Sequence, residues 1–282
     1  MKFSQSNAQL YIPDGAPEAE ALARTTHLAI AAHQDDIEIM AVDGILEAFG
    51  QPDKWFTGVV MTNGAGSPRS GVYGYYTDEE MRHVRVIEQK KAAFMGGYAA
   101  QFLLDHPSSV VKDPASMAPS EDLIAILQAT RPEIVYTHNP ADKHDTHIGV
   151  IMKTLAAIRS LPKEERPRRL YGCEVWRDLD WMLDEDKIAF DVSRYENMQM
   201  ALVAIFDSQI SGGKRYDLAT MGRRRANATY YASHATDMAH LMTFAMDLTP
   251  LIEDDELDLT EYVMAHIQRF ADDVRGRLAR MS

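Results

Sequence analysis

Cysteine is nearly absent: the 282-residue chain contains a single one, Cys173, so it can form neither an internal disulfide nor a thiolate metal cluster. Any metal would have to be held by histidine and carboxylate. Basic residues are also in deficit, 29 Lys and Arg against 42 Asp and Glu, for a formal net charge of −13. A chain of that sign lacks the basic footprint that a phosphate backbone or an anionic membrane surface demands. No apolar run approaches the roughly 18–20 residues needed to span a bilayer. Residues 1–26 show no apolar stretch behind a basic start, so no signal peptide is read there. Internal repeats and low-complexity linkers are absent as well. The expectation is a soluble, cytoplasmic protein with no nucleic-acid partner and no membrane span.

What is present is an alternation of short apolar runs with helical patterns. His27–Ala32, Phe56–Met61 and Glu133–Thr137 read as buried strands, and Tyr98–Leu104 and Leu170–Trp176 as weaker ones. Near-continuous apolar strands separated by helices indicate a parallel sheet covered on both faces. Thr77 with Glu80 predicts a capped helix ending at Gly96-Gly97, Ser193 with Glu196 a second, and Ser120 a third; Leu259 onward predicts an amphipathic terminal helix. The fold class is therefore α/β and Rossmann-like: a mainly parallel sheet, helices on both faces and a helical C-terminal part. The chain reads as a single domain over 1–282, with the informative motifs in 1–160 and a mostly helical extension over 194–282. The charged loop Leu161–Arg169 and the acidic run Glu253–Glu256 read as surface connections. Arg223, Arg224 and Arg225 read as solvated or subunit-contact residues.

Two groups of residues carry chemistry. His33-Gln34-Asp35-Asp36 stands at the C-terminal end of the first strand, the edge at which open α/β sheets place ligands. Imidazole and carboxylate suit zinc or a similar divalent ion, and His33 and Asp36 can converge on one ion from a strand-to-helix turn. Asp35 would then point elsewhere, free to act on a bound water. Helix capping by the Asp pair is the alternative reading. The second group, His144 and His147, follows the Val135–Thr137 strand at the same sheet edge, three residues apart at a helix start. His138 reads as a possible supporting residue, whereas His27, His83, His106, His234, His240 and His266 read as ordinary core or surface histidines.

These two blocks resemble the PIG-L/LmbE-like family of zinc-dependent N-acetyl-sugar deacetylases, whose signatures are A-H-P-D-D-E and H-x-D-H. Ala32 to Ile37 matches the first, with Gln34 in place of Pro, Ile37 in place of Glu, and Glu38 one position later. His144 to His147 keeps the H-x-x-H spacing, with Asp145 one position early. Thr62-Asn63-Gly64, Arg85 to Glu88 and Ser208-Gln209 resemble further family features. The resemblance implies His33, Asp36 and His147 as metal ligands, Asp35 as general base and His144 as oxyanion stabiliser or proton donor to the departing amine. Asn63, Arg69 and Arg85 are the expected substrate-binding residues.

The implied activity is hydrolysis of an acyl amide, acetyl above all, on an N-acetylated amino sugar or sugar conjugate, with zinc or another divalent metal as cofactor. Two other readings stay open from the sequence: a metal-dependent hydrolase of another bond such as a phosphoester, and a non-catalytic carbohydrate-binding member of the fold. A homo-oligomer is a possible state.

Overall fold

A computed structural model describes residues 1–282. Its strands are β1 (Gln9–Tyr11), β2 (His27–Ala31), β3 (Phe56–Thr62), β4 (Ala100–His106), β5 (Ile134–His138), β6 (Arg169–Cys173), β7 (Lys187–Asp191) and β8 (Met242–Asp247). They form one eight-stranded sheet in the order β1-β4-β3-β2-β5-β6-β8-β7. The pairings from β4 through β6 are parallel, whereas β1, β8 and β7 join antiparallel.

The central strands are apolar throughout because they are buried on both faces. Along β2, Leu28 and Ile30 face one core and Ala29 and Ala31 the other. The first core includes Val263 from the terminal helix and Phe244 from β8, and the second Met198 and Leu202 from the helix Glu196–Ala204, so the C-terminal third is built into the same body. That third is mostly helical as read, yet it also supplies β8, which lies between β6 and β7.

β2 feeds β3 on one side and pairs with β5 on the other, so the strand order reverses at the β2/β5 boundary. Such a reversal opens a crevice beyond the strand C-termini, and both chemical motifs leave the sheet there.

Local signals held unevenly. The Thr77 capping box is formed and its helix runs Asp78–Met95, with Gly97 at φ +64° just beyond. The Ser193 box is not formed. Its hydroxyl bonds Asp191 and accepts the His240 N–H, and the helix starts at Glu196 behind a left-handed Tyr195. Ser120 lies inside the helix Ala118–Thr130 rather than at its cap. The terminal helix spans Leu259–Met281, capped by Asp258.

Three residue groups make contacts beyond the plain readings given to them. Arg166 reaches from the 161–169 loop to Asp255 and the Ile252 carbonyl, fastening the loop to the acidic run. Arg224 is buried, donating to Gln199 Oε1 and to the Glu38 and Ile39 carbonyls. Among the histidines, His106 is fully buried against Asp122 at 2.9 Å, and His266 is buried beside Asp186. No helix is long and apolar enough to cross a membrane.

Candidate metal centre and active-site cleft

The chain leaves β2 at Ala31 and turns sharply through His33-Gln34-Asp35 into a short helix beginning at Asp36. Asp35 sits at φ +99°, a region that costs a non-glycine residue about 1–3 kcal/mol and persists only when the surroundings impose it. Here they do. The Arg85 guanidinium donates to the Gln34 carbonyl and lies 3.5 Å from Asp35 Oδ1, and Gln89 Oε1 accepts the Asp35 N–H at 3.4 Å. Gly64, at φ +67°, passes so close that a Cβ there would stand 2.4 Å from Gln34 Oε1.

Asp36 turns inward beneath His33. Its Oδ2 accepts the His33 backbone N–H at 2.8 Å and lies 3.2 Å from His33 Nδ1 and 3.4 Å from His147 Nε2. Tetrahedral zinc with bonds of about 2.0–2.1 Å places neighbouring donor atoms about 3.3 Å apart, which both of these separations match. His147 arrives from the helix Asp145–Arg159 after β5, and its Nδ1 is 3.1 Å from Asp142 Oδ2. An Nδ1–H donated to that carboxylate turns the Nε2 lone pair toward Asp36 and His33. Nε2 is buried and has no hydrogen-bond partner. An orphaned imidazole nitrogen beside a carboxylate and a second imidazole fits a divalent ion, and the three donor atoms lie within 4.8 Å of one another.

A second grouping, His138, Asp142 and His147, also satisfies that distance limit, but it is already committed to other bonds. His138 Nε2 accepts the Ala32 N–H at 2.9 Å, and Asp142 holds His147. His138 is instead a packing plate, stacked on the His147 ring at 3.8 Å between centroids. The two groupings share His147, whose free Nε2 faces Asp36 and His33.

Electrostatics divides the acids. Burial pushes the Asp35 carboxyl well up despite Arg85, whereas Asp36, equally buried, is held well down by His147, His33 and His138. Burial opposes charge on His147, yet Asp36 and Asp142 outweigh it and lift its pKa to about 9. Burial lowers the pKa of His33 and of His144.

Above this cluster lies a cleft of about 290 Å³ lined by His33, Asp35, Asp36, Arg85 and His144 among others. His147 forms the buried base below it. His144, the residue before the helix, packs edge-on to His33 and 4.6 Å from the His147 ring. Asp145 is exposed and makes no hydrogen bond to His144; the aspartate that orients a histidine is Asp142.

Of the expected substrate-binding residues, only Arg85 lines the cleft. Asn63 accepts the Ala65 N–H in a turn, and Arg69 is consumed by Asp78 and the Tyr76 and Ala65 carbonyls. Both shape the glycine-rich loop rather than face the cavity.

Trp176, Gln209, Lys214 and Tyr216, from beyond residue 158, help to complete the wall. No spacing in the sequence relates the first, third and fourth to the histidines. Ser208-Gln209 did carry a signal, and the reason is visible: Glu88 of the R-x-x-E helix accepts both the Ser208 N–H and its hydroxyl, at 2.8 and 2.7 Å.

Residues 28–158 match the family model described as PIG-L, GlcNAc-PI de-N-acetylase. No curated protein gives a significant sequence match. Among solved structures, the chain is similar to N,N'-diacetylchitobiose deacetylase from Pyrococcus horikoshii (TM-score 0.63, 14% identity, 89% of this chain and 93% of that one). It is also similar to the A40926 pseudoaglycone deacetylase Dbv21 (TM-score 0.57, 16% identity, 79% and 97%). The 4-carboxy-2-hydroxymuconate hydratase GalB from Pseudomonas putida KT2440 is a further similar structure (TM-score 0.58, 14% identity, 79% and 95%). At these identities the structural likeness establishes the fold, which hosts more than one chemistry. Residues 28–158 thus match the PIG-L family model, and the chain carries them on the α/β fold that these solved structures share.

Proposed function

We propose that the chain is a metal-dependent amide hydrolase that removes an acetyl group from a small N-acetylated amino sugar, with zinc as the first candidate ion. The observation that carries this reading is the unpartnered His147 Nε2, aimed at Asp36 and His33 beneath a cleft that Asp35 lines. His33, Asp36 and His147 would hold the ion, which when bound supplies a Lewis acid for the amide carbonyl and an acidified water.

The remaining chemistry belongs to the chain. Asp35 stands beside the ligand set without joining it, and its raised affinity for a proton suits a base that must take one from water. Arg85, 3.5 Å away, fixes its direction. His144, kept neutral by partial burial, lines the cleft above His147, where an imidazole N–H can support the developing oxyanion or protonate the departing amine. The His33, Asp36 and His147 set brings one carboxylate to the ion, which favours hydrolysis at one ion over a two-ion phosphoesterase.

A panel of N-acetylated sugars tested with enzyme as purified, chelated and zinc-reloaded checks this reading. Amide hydrolysis that disappears on chelation and returns with metal is expected. Full turnover after chelation, or none of any N-acetyl sugar by the loaded enzyme, would overturn it.

A further inference from the structure

Part of the cleft wall comes from outside the PIG-L-matched residues. Trp176, Lys214 and Tyr216 all line the cavity. Trp176 is anchored to the metal centre, because its backbone N–H donates to Asp142 Oδ2, the same oxygen that holds His147. Tyr216 meets the indole edge-on at 6.0 Å, and the Lys214 ammonium sits 5.1 Å from the indole centroid, within cation–π range.

The turn that delivers Lys214 depends on glycine. A Cβ on Gly212 would stand 1.8 Å from the Ser208 carbonyl oxygen, and Gly213 has φ +143°. Arg85, the other Lys or Arg lining the cleft, is spent on the Gln34 carbonyl, Ser67 Oγ and Asp35. Lys214 Nζ, by contrast, makes no hydrogen bond or ion pair with the chain. In a molecule of net charge −13, this exposed ammonium, left without a carboxylate at the rim of the cleft, is free to meet an anion. The indole beside it, stacked on the His144 ring at 6.4 Å between centroids, gives the same wall an apolar surface for a sugar to pack on. A volume near 290 Å³ is at the small end of ligand sites, suited to one sugar ring and its substituents.

We propose that Trp176, Lys214 and Tyr216 form the subsite for the amine-bearing half of the substrate and select an amino sugar carrying an anionic substituent, a phosphate or a carboxylate, against Lys214. This rests on the amide-hydrolase reading for its kinetics but not for its binding.

The test therefore measures both, on the full-length zinc-loaded protein. Binding of glucosamine, glucosamine 6-phosphate and muramic acid is measured by calorimetry, and kcat/KM is determined for the corresponding N-acetyl sugars. At least one anionic amine is expected to bind about fivefold or more tighter than glucosamine, the scale of a partly exposed charge contact. Added salt should shrink that advantage. Lys214→Gln should abolish it, Lys214→Arg should keep it, and Trp176→Ala should weaken all three ligands. The two anions tell phosphate from carboxylate.

Equal binding of glucosamine and both anions, or an anion advantage that survives Lys214→Gln, overturns the subsite. Preferential binding of an anionic amine without hydrolysis of any N-acetyl sugar upholds the subsite and removes the hydrolase reading. Hydrolysis with no charge preference does the reverse.

Discussion

Replacing Asp142 by Asn probes the proposed metal centre without touching a proposed ligand. Asp142 Oδ2 serves the His147 ring at 3.1 Å and the Trp176 N–H at 3.2 Å, while Oδ1 accepts the Lys143 N–H at 2.5 Å. An Asn carbonyl oriented like Oδ2 keeps the first two contacts, and only the N–H of exposed Lys143 loses its acceptor, to be satisfied by water. The fold should therefore survive and the negative charge alone be lost.

Two effects then oppose each other. Losing the carboxylate behind a ligating histidine weakens metal binding about 10–100-fold, or about 1.4–2.7 kcal/mol. Yet Asp142 also helps raise the His147 pKa to about 9, so the native site must expel a proton at neutral pH and the variant less so. Near pH 7 that proton costs the native site up to about 100-fold, at a factor of ten per pKa unit, and part of this cost goes with the charge. Competition against a chromophoric chelator should therefore show a deficit that widens from pH 7 to pH 9, where the proton no longer competes. An Asp142→Asn protein of unchanged near-ultraviolet circular dichroism that binds zinc at pH 9 as tightly as the parent would refute the assignment of Asp142 as the anchor of His147.

Asp35→Asn should retain the metal, by direct metal analysis, and lose on the order of 10²-fold or more in kcat; undiminished turnover removes Asp35 as base. Ser208→Ala strips both a hydroxyl contact and its support from the buried Glu88 carboxylate, and should cost about 1.5–3 kcal/mol in urea unfolding; a loss below about 0.5 kcal/mol would show the link to be idle. Asp43 gives a stability signal away from the metal. Burial raises its carboxyl from 3.8 to about 6 despite the 2.8 Å hydrogen bond from Tyr136. A folded-state pKa above the unfolded one means that the folded chain holds the proton more tightly, so stability is highest below pH 3.8 and is lost as pH rises through about 6. The full shift corresponds to about 3 kcal/mol; the side chain keeps some solvent contact, so about 1–2 kcal/mol is expected. Asp43→Asn should gain that much on the parent between pH 4 and pH 7, and a pH-independent difference would contradict it.

The parts of the fold that the sequence announces are those with local causes. β2, β3 and β5 are runs of apolar residues buried on both sides, so their composition alone marks them. β7 and β8 mix Lys, Asp, Thr and Met with their apolar positions, and β1 is three residues long; their existence depends on neighbours rather than on propensity. Ser193 shows how a capping pattern fails, since a nearby Asp191 and the incoming backbone of residues 240 and 241 compete for its hydroxyl. The same division runs through the site. His33, Asp36 and His147 are legible because two adjacent strand ends carry them. Asp142 lies within the second motif, but nothing in its spacing says which histidine it serves. Trp176, Lys214 and Tyr216 reach the cleft through tertiary packing, and Asn63 and Arg69 are drawn away from it by their own turn and by Asp78.

Buried Arg224 has one further consequence. From a helix far down the chain it grips the carbonyls of Glu38 and Ile39, in the same short helix that Asp36 opens. The turn that carries His33 and Asp36 is thus bolted to a part of the protein that shares no motif with it. Chemistry and foundation occupy different stretches of sequence, so the recognisable segment is not a portable cassette. Transplanted or trimmed to residues 28–158, it would carry His33, Asp36 and His147 and lack the masonry that keeps Asp36 in register with His147. A change at Arg224, which lines no part of the cleft, should therefore disturb the turn that carries Asp36.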